Sequence, residues 1–233
     1  MEDHPSARPP FRLSLLPSLP YLAPFAAFML LLLVAPRLPF GVRTVSILRL
    51  AILALVLLVC SRGVIPLRVP HWLTSIALGV AVFALWIAPD VLFHNWRESP
   101  FFHNGLTGRV EGPPSLASRS DPLVLALRFV RAVLIVPIVE ELFWRAWLPR
   151  WIDRAKDFRE VPLGQYSRAA FWLTAILFAS EHGALWDVGL AAGLLYNWWM
   201  KRTRSLGDLI LAHAVTNACL SVYVLTRGRW EYW

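Results

Sequence analysis

Charge is scarce in this chain. Only 16% of its 233 residues are Asp, Glu, Lys or Arg, against about 25% in a soluble globular domain. Cysteine is scarcer, with Cys60 and Cys219 alone, both inside apolar runs. That excludes a disulfide framework and a cysteine-rich metal site, and leaves the two thiols as small hydrophobes. Lysine is nearly missing too, since Lys156 and Lys201 are the only two among 23 basic residues. What remains is 57% hydrophobic, with twelve Trp, thirteen Phe and a mean hydropathy of +0.53. These values exclude a disordered chain, a small secreted module and an ordinary cytosolic domain. They describe a membrane protein, and its apolar runs make it an all-α polytopic transmembrane helical bundle of about seven to eight spans. The net charge of +8 comes from arginines scattered between apolar runs. Such scatter suits loops facing lipid head groups and argues against nucleic acid as a partner.

The chain opens on a proline-rich stretch without periodicity, expected as a mobile tail over residues 1–18. Residues 19–233 then read as a single transmembrane domain. Apolar runs cover Leu19–Ala35, Val45–Cys60 and Trp72–Phe93, each near the 17–25 residues that cross about 30 Å of hydrocarbon. A turn-rich polar loop fills 94–122. A long helix is expected over Leu123–Leu148, stopped by Pro149. Two short runs, Ala169–His182 and Val188–Met200, flank a turn, and Leu206–Thr226 is the last span. With seven spans and the N-terminus inside, twelve basic residues fall on the cytoplasmic side and seven on the far side. This supports a cytoplasmic N-terminus.

Ionisable groups at membrane depth cost roughly 2.5–3.5 kcal/mol each on insertion scales and tend to mark function. One cluster lies in Glu140-Glu141-Leu142-Phe143-Trp144-Arg145. Neighbouring helical residues point about 100° apart, so the two glutamates have different roles. Glu141 and Arg145 stand i, i+4 with the acid first, the favourable order for an ion pair. Glu140 is left without a local counter-charge and becomes the candidate general base. Phe178 and His182 share a helix face, which lets the ring fix the imidazole. His213 and Asn217 also stand i, i+4 and can both donate hydrogen bonds. Counting about 1.5 Å per residue from the cytoplasmic ends places all four polar groups near the bilayer centre.

Glu140-Glu141-x-x-x-Arg145, Phe178-x-x-x-His182 and His213-x-x-x-Asn217, on successive helices, resemble the CAAX prenyl protease type 2 and bacteriocin-processing (CPBP) family of intramembrane endopeptidases. The resemblance covers about residues 123–226, a protease-like core within the transmembrane domain. The wording around Gly193–Trp198 and Leu211–Asn217 is similar to a bacterial CAAX prenyl protease-related subgroup associated with exosortase and PEP-CTERM sorting. The resemblance implies that Glu140 activates a water, that His182 helps to hold it, and that His213 and Asn217 stabilise an oxyanion. Glu141, Arg145 and Phe178 are then supporting residues. It further implies an inner-membrane location, a membrane-borne peptide or protein substrate, and an exosortase-system partner. Glu181 beside His182, and seven countable spans instead of eight, depart from the family pattern.

Plainer roles compete with these. Glu140 and Glu141 could form a structural ion-pair network with Arg128, Arg131 and Arg145. His182 could be a helix-end histidine at an interface, and His213 with Asn217 could be interhelical glue. Asp90 and Asp208 are expected to cap or bond locally. Glu140, His182 and His213 could make a His₂Glu zinc site, but no His-Glu-x-x-His element is present. Metal-free hydrolysis without a cofactor is the preferred expectation, with zinc the alternative. A non-proteolytic membrane chaperone or sorting partner that binds hydrophobic peptide segments is the alternative function.

Overall fold

The structure is a computed structural model that describes residues 17–66, 68–102, 104–105, 108 and 112–233. Residues 1–16 of the expected N-terminal tail lie outside the described residues. Among the described residues eight helices follow one another: α1 Leu19–Arg37, α2 Val42–Ser61, α3 Trp72–Leu92, the single turn α4 Leu116–Arg119, α5 Pro122–Asp153, α6 Arg168–Ser180, α7 Trp186–Thr203 and α8 Leu206–Arg227. Five of them, α1, α2, α3, α5 and α8, are long and apolar enough to cross a membrane. The molecule is a helical membrane bundle. Large apolar side chains such as Leu30, Leu33, Leu55, Leu58 and Leu92 stand on its outside, where water would oppose them and acyl chains would not.

The interior is set by close approach and a few buried hydrogen bonds. Gly79 of α3 lies so near Ala212 and Val215 of α8 that a Cβ there would collide with both. Small residues of this kind let helix backbones meet where no hydrophobic force separates lipid from protein. The same crossing is tied by Thr216, whose hydroxyl lies 2.9 Å from the Gly79 carbonyl oxygen. Asp208, fully buried in the first turn of α8, does more than bond locally. It accepts from the His71 backbone N–H at 2.8 Å and from the Ser75 hydroxyl at 3.2 Å, which joins the start of α3 to the start of α8. On the other side of the bundle, Phe25 of α1 stacks on Phe143 of α5 at 3.9 Å. Trp147 donates to the Ser18 hydroxyl at 3.0 Å just before α1.

Helix α5 differs from the expectation that Pro149 ends it. It begins as its sequence suggests, with Asp121 as N-cap accepting from the Leu123 and Val124 amides and Pro122 in the first turn. The hydrogen-bonded side chain of Arg43 holds the Asp121 carboxyl below the usual carboxylate range. The helix then continues to Asp153. Two widened π-turns, Arg131–Ile135 and Leu142–Trp147, each lead into a short α segment with a proline in its first turn, Pro137 and Pro149. Such a position needs no proline N–H, so the chain stays helical past both rings.

Helices α6 and α7 explain the short apolar runs. Thirteen residues of α6 rise only about 20 Å, less than the hydrocarbon thickness of about 30 Å. The connection from Glu181 through the 3₁₀ turn Gly183–Leu185 therefore lies within the bundle. Gly189 permits this tight return, because a Cβ there would stand 3.2 Å from the Cβ and Cγ of His182. The stretch between α3 and α5 holds α4 and a 3₁₀ turn at Trp96–Glu98, and no further span among the described residues.

Candidate active site

The π-turns and the short α6–α7 pair bring side chains from four helices to one cavity of about 680 Å³. Glu140 comes from α5, His182 from the turn after α6, Tyr196 from α7, and His213 and Asn217 from α8. All four sequence-predicted polar residues therefore line the same space.

The two glutamates diverge as adjacent helical positions must. Glu141 turns away from the cavity and is fully buried. One of its oxygens, Oε1, accepts from Arg145 Nη1 at 3.1 Å and from His213 Nδ1 at 2.7 Å. Arg145, 2% exposed, also donates through Nε to Asn197 Oδ1 at 3.2 Å. Its guanidinium carbon lies 4.2 Å from the centre of the Phe178 ring, a cation–π contact strengthened by the loss of water. The expected ion pair thus exists, and Arg131 makes no hydrogen bond or ion pair to it among the described residues. Asn197 holds itself in place by donating to the Phe171 carbonyl at 2.8 Å and the Thr174 hydroxyl at 2.9 Å.

Glu140 faces the cavity and does have a partner across it. His213 Nε2 stands 3.8 Å from Glu140 Oε2. Since His213 Nδ1 sits against the Glu141 carboxylate, Nδ1 carries the hydrogen and Nε2 is the nitrogen turned to Glu140. The His213 ring is backed by Tyr196, with ring centres 5.3 Å apart. Tyr196 is itself tied to the Thr216 hydroxyl at 2.8 Å.

His182 is fixed in the same manner. Its Nδ1 lies 2.8 Å from the Phe178 carbonyl oxygen. A carbonyl can only accept, so Nδ1 bears the hydrogen, and in the neutral ring Nε2 keeps a lone pair. Phe178 packs on the imidazole at 4.6 Å as its spacing predicts, and Trp86 of α3 meets the ring edge-on at 5.2 Å. Glu181 also lines the cavity. Trp144, one turn after Glu140, donates its indole N–H to Glu181 Oε2 at 3.0 Å. Glu181 is thereby a second acid on the wall that Glu140 occupies.

Asn217 donates through Nδ2 to the carbonyl of Ala132 at 2.8 Å. The α5 backbone explains why that carbonyl is available. In the first π-turn the Val136 N–H bonds to Arg131, and the next residue, Pro137, has no N–H. The Ala132 carbonyl is left without a main-chain donor, and the amide of Asn217 supplies one. The second hydrogen on Nδ2 remains for the cavity.

Tyr196, Asn197, Thr216, Trp144 and Trp86 complete the site without having stood out in the sequence. Asn197 carried the one available signal, a polar side chain in an apolar run. Among the described residues no three His, Cys, Asp or Glu side chains form a metal-holding group. His213 and His182 each place Nδ1 on another group, Glu141 and the Phe178 carbonyl, and keep Nε2, an arrangement that metal-ligating histidines share.

The fold and site together define a helical membrane protein with Glu140, Glu181 and two histidines lining one cavity. Residues 122–219 are similar to the family described as Type II CAAX prenyl endopeptidase Rce1-like. That region runs from the start of α5 into α8 and includes every residue of the three motifs. No curated protein and no solved structure matches the chain.

Proposed function

We propose that this chain is an intramembrane endopeptidase that hydrolyses a peptide bond of a membrane-borne protein by a glutamate-activated water. The observation that carries the reading is Glu140 facing His213 Nε2 across a cavity that His182 and Asn217 also line. The family similarity of residues 122–219 supports it.

In this reading Glu140 takes a proton from water while the lone pair on His182 Nε2 orients that water. The hydroxyl oxygen bonds to the peptide carbonyl carbon. Negative charge develops on the carbonyl oxygen, where an N–H on His213 Nε2 and the second Asn217 amide hydrogen can meet it. His213 provides that N–H when both its nitrogens are protonated, one held by Glu141. As the C–N bond breaks, Glu140 returns its proton to the leaving nitrogen, giving an acid and an amine. The subgroup wording around Gly193–Trp198 adds proteins of an exosortase-linked sorting system as the substrate class.

The test is the purified chain in liposomes with membrane-anchored peptides carrying a fluorophore and quencher. Glu140→Gln is expected to lower cleavage about 10²- to 10⁴-fold, the range for a lost general base. Retained cleavage would overturn the glutamate mechanism. Binding of the peptides without cleavage by the unmodified chain would instead favour the chaperone role. Chelation followed by zinc return tests the metal alternative; activity lost and then restored would place zinc in the reaction.

A further inference from the structure

A second cavity, of about 280 Å³, opens beside the first between α2, α4, α5 and the segment Trp230–Trp233. Four arginines face it: Arg49 from α2, Arg119 from α4, and Arg128 and Arg131 from α5. No acidic residue lines it among the described residues. Arg131 faces Arg49 and Arg128 as like charges, and neither Arg49, Arg119 nor Arg131 has a hydrogen-bonded or ion-paired partner among the described residues. Arg128 is shared with the first cavity and stacks on the Trp233 ring at 4.9 Å.

The placement of two of these cations calls for an anion. Arg49 lies seven residues into α2 and Arg131 nine into α5, which corresponds to depths of about 10 Å and about 14 Å along the helices. Cations at such depth are costly unless paired or hydrated, and they mark sites that draw an anion inward. Guanidinium groups match phosphate oxygens in geometry as well as charge. The rest of the wall is apolar, with Leu38, Phe40, Val45, Val124 and Leu125 among its side chains, and the hydroxyls of Ser46 and Ser118 lie with the arginines. Cations and hydroxyls beside apolar side chains, set between spans, fit a group that has both a phosphate and acyl chains.

We propose that this cavity binds the phosphate of an anionic phospholipid head group, with Arg49 and Arg131 as inner ligands and Arg119 at the rim. Free phosphate shares the chemistry but has no use for the apolar wall. The site is independent of the proteolytic reading, and it would place a lipid against the wall that Arg128, Trp230 and Trp233 share with the first cavity.

Native mass spectrometry of the full chain in a neutral detergent tests this, with phosphatidylglycerol and phosphatidylcholine of the same acyl chains in competition. Phosphatidylglycerol should be retained in preference. Arg49→Gln and Arg131→Gln should each lower that retention about fivefold, the effect of one basic residue near an anionic lipid. A separate arm adds millimolar inorganic phosphate, which should displace little lipid. Equal retention of the two lipids, or unchanged retention in the double variant, would overturn the proposal. Complete displacement by inorganic phosphate would assign the site to a free anion and overturn the lipid. Should the inner variants not fold, Arg119→Gln at the exposed rim and the two-lipid comparison on the unmodified chain still decide.

Discussion

Arg145 is a cation almost fully removed from solvent, and its charge is met by one carboxylate, one amide oxygen and two aromatic faces. Removing the carboxylate leaves an uncompensated charge in the bundle. Glu141→Ala is therefore expected to destabilise the chain by about 3–5 kcal/mol, the range for breaking a buried pair. The double variant Glu141→Ala, Arg145→Met removes the stranded charge as well and should recover a large part of that loss. Thermal unfolding in detergent micelles measures both; a double variant no better than the single would show that the guanidinium needs no counter-charge. The sequence made this pair legible because i, i+4 spacing is local geometry. It concealed that His213 joins the same oxygen, since that contact spans 72 positions. It also hid the role of Asn197, which an apolar run shows only as a polar interruption. Glu140 looked unpartnered for the same reason, its facing nitrogen being on another helix.

Helix α5 shows how an element can carry two irregularities and gain function from one. Pro137 and the preceding π-turn leave the Ala132 carbonyl without a backbone donor, and Asn217 of α8 answers it. Asn217 therefore has a structural duty beside the proposed one at the oxyanion. Asn217→Ala should cost about 1–3 kcal/mol, the penalty for a buried unsatisfied group. Pro137→Ala returns an N–H to the same turn, so combining it with Asn217→Ala should cost less stability than the two single changes summed. Cleavage should stay low in the combination, because the cavity-facing hydrogen is still missing. A cycle of thermal unfolding run beside the cleavage assay separates the duties; full recovery of cleavage would assign Asn217 to structure alone. The prolines were visible in the sequence, but Pro149 was expected to stop the helix. Proline position alone does not reveal a π-turn, because its wider register depends on what packs against it.

Across the whole molecule, hydropathy located the spans well, because lipid rewards length and apolarity whatever the neighbours. The depth count also brought Glu140, His182, His213 and Asn217 to one level, as their shared cavity shows. Neither measure could see the arginine-lined cavity, since Arg49 and Arg131 belong to different helices and meet only through packing. Nor could they show how the cavity's Gly183–Leu185 end is held. There Arg97, in the connection after α3, pairs with Asp90 at 3.1 Å and with Asp187 at the start of α7, and donates to the Ala184 carbonyl at 3.0 Å. Trp96 donates to Asp187 at 2.9 Å, and Tyr232 donates to Asp90 at 2.7 Å. Burial, together with that bond, pushes the Tyr232 hydroxyl above its ordinary pKa and keeps it a donor at neutral pH. One guanidinium therefore joins α3, the turn before α7 and, through Asp90, the segment that walls both cavities. Arg97→Ala would leave Asp90 and Asp187 as unneutralised like charges with nothing between them. The connection should then detach, so that limited proteolysis cuts within residues 93–102 at least several times faster, while the spans stay protected. Arg97→Lys keeps the charge but loses the forked geometry and should fall between. Peptide cleavage should drop with the detachment, because the turn that carries His182 loses the Arg97 bond to the Ala184 carbonyl. Proteolysis at the unmodified rate in Arg97→Ala would show that the aromatic contacts of Trp96 and Phe102 hold this end by themselves.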